Sequence, residues 1–62
     1  MEILYKTNGV YTTKGDTEWY FGKKFVEELT DSAIKIHNIT GEEYFKFWQK
    51  DTGYMAVEIR RV

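Results

Sequence analysis

His37 is the only histidine of the chain and Ser32 its only serine. With Asp31 they come nearest to a nucleophile, a base and an orienting carboxylate. The pattern that follows Ser32 reads as extended chain, and about five extended residues span roughly 17 Å. Ser32 and His37 then cannot share a hydrogen bond without a sharp fold-back, so the sequence predicts no catalytic set and a non-enzymatic protein. One histidine and no cysteine exclude the common zinc sites. Glu27-Glu28 and Glu42-Glu43 are adjacent pairs, and adjacent side chains on a strand point apart. No calcium loop or phosphate-cradling glycine loop is present, and no metal or other cofactor is expected.

The types that do suggest chemistry are aromatic and basic. Tyr44, Trp48 and His37, with Lys35, Lys46 and Arg60, are predicted to share one sheet face, as aromatic anchors with a cationic rim. Trp, Tyr and Arg dominate protein-binding hot spots, so a protein partner is the first expectation and a small regulator or inhibitor the matching role. The same face suits single-stranded nucleic acid as the alternative: every base offers a π-face and the cations follow the backbone. The net charge of −1 weighs against it, because nucleic-acid binders usually carry a clear basic excess. The plainest reading of Trp48 is that another layer of so small a domain covers it.

Three segments must position that face. Ala33–Ile39, Glu43–Lys50 and Tyr54–Val62 each alternate with period two and are rich in β-branched or aromatic residues. Thr40-Gly41 reads as a two-residue loop and Asp51-Thr52-Gly53 as a three-residue loop closed by a left-handed glycine. Those loops set Lys50 opposite Tyr54, Phe47 opposite Val57, Phe45 opposite Ile59 and Ile36 opposite Phe45. Ile34, Ile36, Phe45, Phe47, Val57 and Ile59 then share the buried face, since a one-residue slip would send every side chain to the wrong side. Ala33, Trp48 and Ala56 form one row of the other face. Lys35, Lys46 and Glu58 form the next, and His37, Tyr44 and Arg60 the third.

The N-terminal third reads as a second meander. Asn8-Gly9 signals a type I′ hairpin turn that sets Thr7 opposite Val10 and Lys6 opposite Tyr11. Val10–Lys14 is the second strand, Gly15-Asp16 a turn, and Thr17–Phe21 a third strand, because Thr, Trp, Tyr and Phe favour a pleated surface. Phe25, Val26 and Leu29 have helical spacing and predict a short helical crossover over 23–30. These elements make an all-β fold, a small antiparallel barrel or two-layer sandwich of two three-strand meanders. The alternative is an α+β fold, ββαβββ, with one helix over 16–30, since Phe21, Phe25 and Leu29 repeat every four residues.

The chain's 62 residues make one domain, 1–62, which buries only about 60% of its unfolded surface. No disulfide reinforces it, so the 18% aromatic content is assigned to the core before any ligand. No apolar run is long enough to span a bilayer and no signal peptide is seen, so no membrane partner is expected and the protein is read as cytoplasmic. An exposed edge, Ala33–Ile39 or Tyr54–Val62, invites strand addition, and a homodimer or a structural subunit of a homo-oligomer is a further expectation.

Overall fold

Asn8 and Gly9 make the turn their sequence predicts. Both have positive φ, 47° and 87°, and the hairpin places Thr7 opposite Val10 and Lys6 opposite Tyr11. A computed structural model describes residues 1–61. From this hairpin the chain runs through β1 (Glu2–Thr7), β2 (Val10–Thr12), α1 (Lys14–Phe21), α2 (Lys23–Thr40), β3 (Tyr44–Gln49) and β4 (Gly53–Arg60). The strands form one open antiparallel sheet in the order β2-β1-β4-β3, and both helices pack on one of its faces. The fold is therefore mixed α+β, which overturns the all-β barrel or sandwich. The helical alternative over 16–30 lies nearer, but the helical stretch is longer and is split in two.

α1 replaces the strand expected at Thr17–Phe21. Thr13 caps it: its side-chain oxygen accepts from the Asp16 N–H, 3.1 Å away, so an orphan donor of the first turn is satisfied. Thr17 and Phe21 are the helix's buried residues, one turn apart. Its other rings project outward, Trp19 being 88% exposed, so the strand-like aromatic trio reflects composition and not pleating. The Thr17 hydroxyl donates to the Thr13 carbonyl, hence the Thr12 hydroxyl donates to Thr17 and Thr7 to Thr12. This run of threonines satisfies the polar groups where β2 turns into α1.

Gly22 ends α1 with φ 96° and its N–H bonded to the Glu18 carbonyl, and α2 begins at the next residue. Phe21 and Phe25 stack across the break at 5.7 Å between centroids. α2 runs on to Thr40 and absorbs the strand expected at Ala33–Ile39. Val26, Thr30, Ala33 and His37 follow helical spacing along its inner side, with Leu29 and Ile34 against the core. The cost of this choice is Ile39, 78% exposed. Gly41 in the left-handed region stops the helix, its N–H bonded to the His37 carbonyl.

In the C-terminal hairpin Gln49 faces Gly53, Phe47 faces Met55 and Phe45 faces Val57. The three-residue loop is Lys50-Asp51-Thr52, so β3 slides two residues along β4 from the expected register. An even slip keeps the faces: Phe45, Val57 and Ile59 are still buried and Phe47 packs beside them. The rows on the other face change. β4 is a central strand, not an edge, and Val62, the last residue of the strand expected there, lies outside the described residues.

β1 joins the two hairpins by pairing with β4 from Glu2 opposite Arg60 to Thr7 opposite Met55. Asn8 clasps the far end of that ladder. Its backbone N–H donates to the Tyr54 carbonyl, its side-chain oxygen accepts from the Tyr54 N–H, and its side-chain amide donates to the Thr52 carbonyl, at 2.9, 2.9 and 3.0 Å. On the covered face Tyr5, Phe21, Val26, Ala33, Phe45, Met55, Val57 and Ile59 form the core. The Thr30 hydroxyl donates to the Val26 carbonyl, so the phenol of buried Tyr5 donates to Thr30.

Two substitutions test this account. Phe45→Ala truncates a core ring and should cost about 3–5 kcal/mol, enough to unfold a domain of this size. Asn8→Gly keeps the positive φ and removes only the side-chain clasp, so urea denaturation should show a loss of about 1–3 kcal/mol. An unchanged midpoint for Asn8→Gly would remove the clasp from the account.

Candidate functional site

The face of the sheet turned away from the helices has no covering layer among the described residues. Alternation along the strands puts Leu4 and Lys6 of β1, Tyr11 of β2, Tyr44, Lys46 and Trp48 of β3, and Tyr54, Ala56, Glu58 and Arg60 of β4 on it. Trp48 is 72% exposed, so it is not the covered core residue that the plainest reading supposed. Tyr11 and Tyr44 are exposed as well.

The centre is built on a small residue. Lys6 and Lys46 lie opposite Ala56 from its two sides. Ala56 is fully buried although it sits on the uncovered face, because its methyl leaves a floor that longer neighbours close over. The Lys6 ammonium lies 4.5 Å from the centroid of the Tyr11 ring and 5.4 Å from that of Tyr44, and the Lys46 ammonium lies 4.7 Å from that of Tyr54. Each is within cation–π range. The one ion pair among the described residues joins Arg60 to Glu58; neither lysine is in salt-bridge contact with a carboxylate there, and Lys6 acts on Glu58 only through its field.

A polar clasp borders this centre. Tyr11 spans β1 to donate its hydroxyl to Glu58 at 2.7 Å; Arg60 donates to Glu58 at 2.6 Å and to the Tyr11 oxygen at 3.2 Å. The hydrogen bond from Tyr11, then that from Arg60, holds the Glu58 carboxyl below its ordinary pKa, and the same pairing with Glu58 raises Arg60. Tyr44 faces Glu58 from β3, not Arg60 as the expected register had it, and Trp48 faces Tyr54, not Ala56.

The face brings together four of the six residues expected on it: Tyr44, Lys46, Trp48 and Arg60. Lys35 and His37 are not among them. Both belong to α2 in the helical layer, where Lys35 is exposed and the His37 Nδ1 lies 2.7 Å from the Glu42 carbonyl oxygen. Ser32 and His37, five positions apart on that helix, do not face each other. Lys6, Tyr11 and Tyr54 join the four instead. The Asn8-Gly9 turn already made Lys6 and Tyr11 cross-strand neighbours, but only the long-range pairing of β1 with β4 brings that pair beside Tyr44. Among the described residues no group of three or more His, Cys, Asp or Glu side chains is placed to hold a metal ion, and no helix is long and apolar enough to cross a membrane. Comparison with known proteins finds no matching family model, no matching curated protein and no matching solved structure.

The clasp has a pH signature. A carboxyl whose folded pKa is depressed stabilises the fold above its unfolded pKa, and that contribution is lost as pH falls through the folded value. The Tyr11–Glu58–Arg60 cluster should therefore persist through neutral pH and open only below the usual carboxylate range. NMR titration of the Glu58 carboxyl should give a midpoint below that of exposed glutamates, and Glu58→Gln should flatten the acid limb of the stability curve. A midpoint at the ordinary glutamate value would contradict the clasp.

Proposed function

We propose that the uncovered sheet face is a binding surface for single-stranded nucleic acid and that the protein acts as a binding module, not as a catalyst. The observation that carries this reading is the centre of the face, where Lys6 and Lys46, outside any salt bridge among the described residues, stand among Tyr11, Tyr44, Tyr54 and exposed Trp48. Lysine is depleted at the centres of protein–protein interfaces, since burying its strongly hydrated ammonium without a partner is costly. A phosphate supplies that partner, and the rings beside it supply stacking surfaces for unpaired bases. Four antiparallel strands with helices on one side present such groups on a flat platform, which suits splayed bases better than a duplex groove.

The chain's overall charge of −1 bounds the affinity. Only two free cations lie at the centre, so log K should fall by about 1.4 per decade of salt, a shallow slope. Binding then rests mainly on stacking, each ring contributing about 1–3 kcal/mol.

A protein partner is the second reading, and the Tyr11–Glu58–Arg60 clasp favours it. There the guanidinium is already neutralised, and an ordered aromatic-arginine cluster resembles a protein hot spot more than a phosphate contact.

Titration with mixed-sequence single-stranded DNA and RNA separates the two. Trp19 is also exposed, so the signal is read in a Trp19→Phe background. Salt-sensitive quenching of Trp48 is expected. Trp48→Ala, followed by an anisotropy readout on labelled strands, should weaken binding about 5- to 150-fold. The double substitution Lys6→Ala, Lys46→Ala should remove most of the salt slope. No quenching at low salt would overturn the nucleic-acid reading and leave the protein partner.

A further inference from the structure

The edges of this sheet are unequal. β2 is three residues long and turns directly into α1, whereas β3 offers six residues and no neighbour on its outer side among the described residues. Its backbone polarity can be read from its partner. The Ile59 N–H donates to the Glu43 carbonyl, so Glu43, Phe45, Phe47 and Gln49 turn their backbone groups toward β4. The N–H and C=O groups of Tyr44, Lys46 and Trp48 therefore face outward, without sheet partners.

We propose that this edge pairs with the same edge of a second copy, antiparallel about a two-fold axis at Lys46, and joins two sheets into one of eight strands. This register uses all three outward-facing residues, which no neighbouring symmetric register does. It sets Tyr44 opposite Trp48 of the second copy, and Trp48 opposite its Tyr44, as aromatic cross-strand pairs. Just beyond the strand ends it brings Glu42 to Lys50 of the second copy, with opposite charge. Sliding the axis to Phe47 would set Glu43 against Asp51 of the second copy, two acids, and leave Tyr44 without its aromatic partner.

The cost of the favoured register is Lys46 against Lys46 at the axis. The structure already moderates it: the Lys46 ammonium lies over the ring of Tyr54 of its own chain, on the inner neighbour β4. The pairing is isologous and closed, so it ends at a dimer. It does not rest on the nucleic-acid reading and is tested without ligand, so either can fail alone.

Sedimentation across micromolar to millimolar protein should show a monomer–dimer equilibrium. Lys46→Ala should tighten it about two- to five-fold by removing the like-charge pair, where a residue uninvolved in pairing would change nothing. The chain has no native cysteine, so single cysteines report the register cleanly. Lys46→Cys, at an exposed position, should cross-link to a covalent dimer under mild oxidation, and Phe47→Cys should not. A monomer at every concentration for both the native chain and Lys46→Ala would overturn the proposal. Cross-linking through position 47 instead of 46 would overturn the register.

Discussion

The pairing of β1 with β4 is the constraint on which everything else depends. Each hairpin satisfies its own turn, but neither alone makes a complete core face or a complete open face. Only when Glu2 meets Arg60 and Thr7 meets Met55 do four strands become one sheet. That ladder puts Tyr5 beside Val57 under the helices and Lys6 beside Ala56 on the open side. The core and the candidate site are thus two consequences of a single register. Alternation along the same strands serves both, so a slip that ruined one would ruin the other.

The two faces handle polarity differently. Under the helices the polar atoms are few and fully engaged: Thr17 and Tyr5 each find a threonine partner, and no buried side-chain polar atom among the described residues is left unpartnered. On the open face the polar groups are many and shared. Three basic side chains contact three rings, with Glu58 the only carboxylate among the described residues bonded into the group. Exposed cation–π contacts of about 1 kcal/mol or less each can exchange partners at little cost. Under the nucleic-acid proposal, a phosphate would draw Lys6 off its rings and free their faces for stacking.

Local signals in the sequence led to the parts of the fold that local chemistry decides. The Asn8-Gly9 turn, its register, and the side of β3 and β4 that is buried were all legible, because glycine-bearing turns and period-two alternation act over a few residues. The errors came where one stretch satisfied two periods. Ala33-Ile34-Lys35-Ile36-His37 alternates like a strand, yet continues the helical spacing that begins at Val26, and the longer pattern prevails because helix formation is cooperative. Thr17–Phe21 carries strand-favouring residues, but Thr13 supplies a cap and Thr17 a hydroxyl bond that start a helix there. With those two segments misread, Lys35 and His37 were drawn onto the sheet face and Lys6 and Tyr11 were left off it. Tyr44, Lys46, Trp48 and Arg60 survived because an even slip of register preserves sidedness.

The clasp at Asn8 also bears on time. Its partner Tyr54 lies 46 residues away, so nearly the whole chain must be gathered before this contact can form. The hairpins and helices are local and can form within microseconds, whereas this contact must also close a loop, at an entropic cost that grows with the logarithm of its length. In this topology the meeting of β1 and β4 is the long-range step, whereas the turns and the α1–α2 break are local. The Tyr11–Glu58 and Lys6–Tyr44 contacts of the uncovered face bridge the same seam, so that face takes part in this step. A substitution at Lys6 or Tyr11 thus acts on the closing of the sheet as well as on the face it builds.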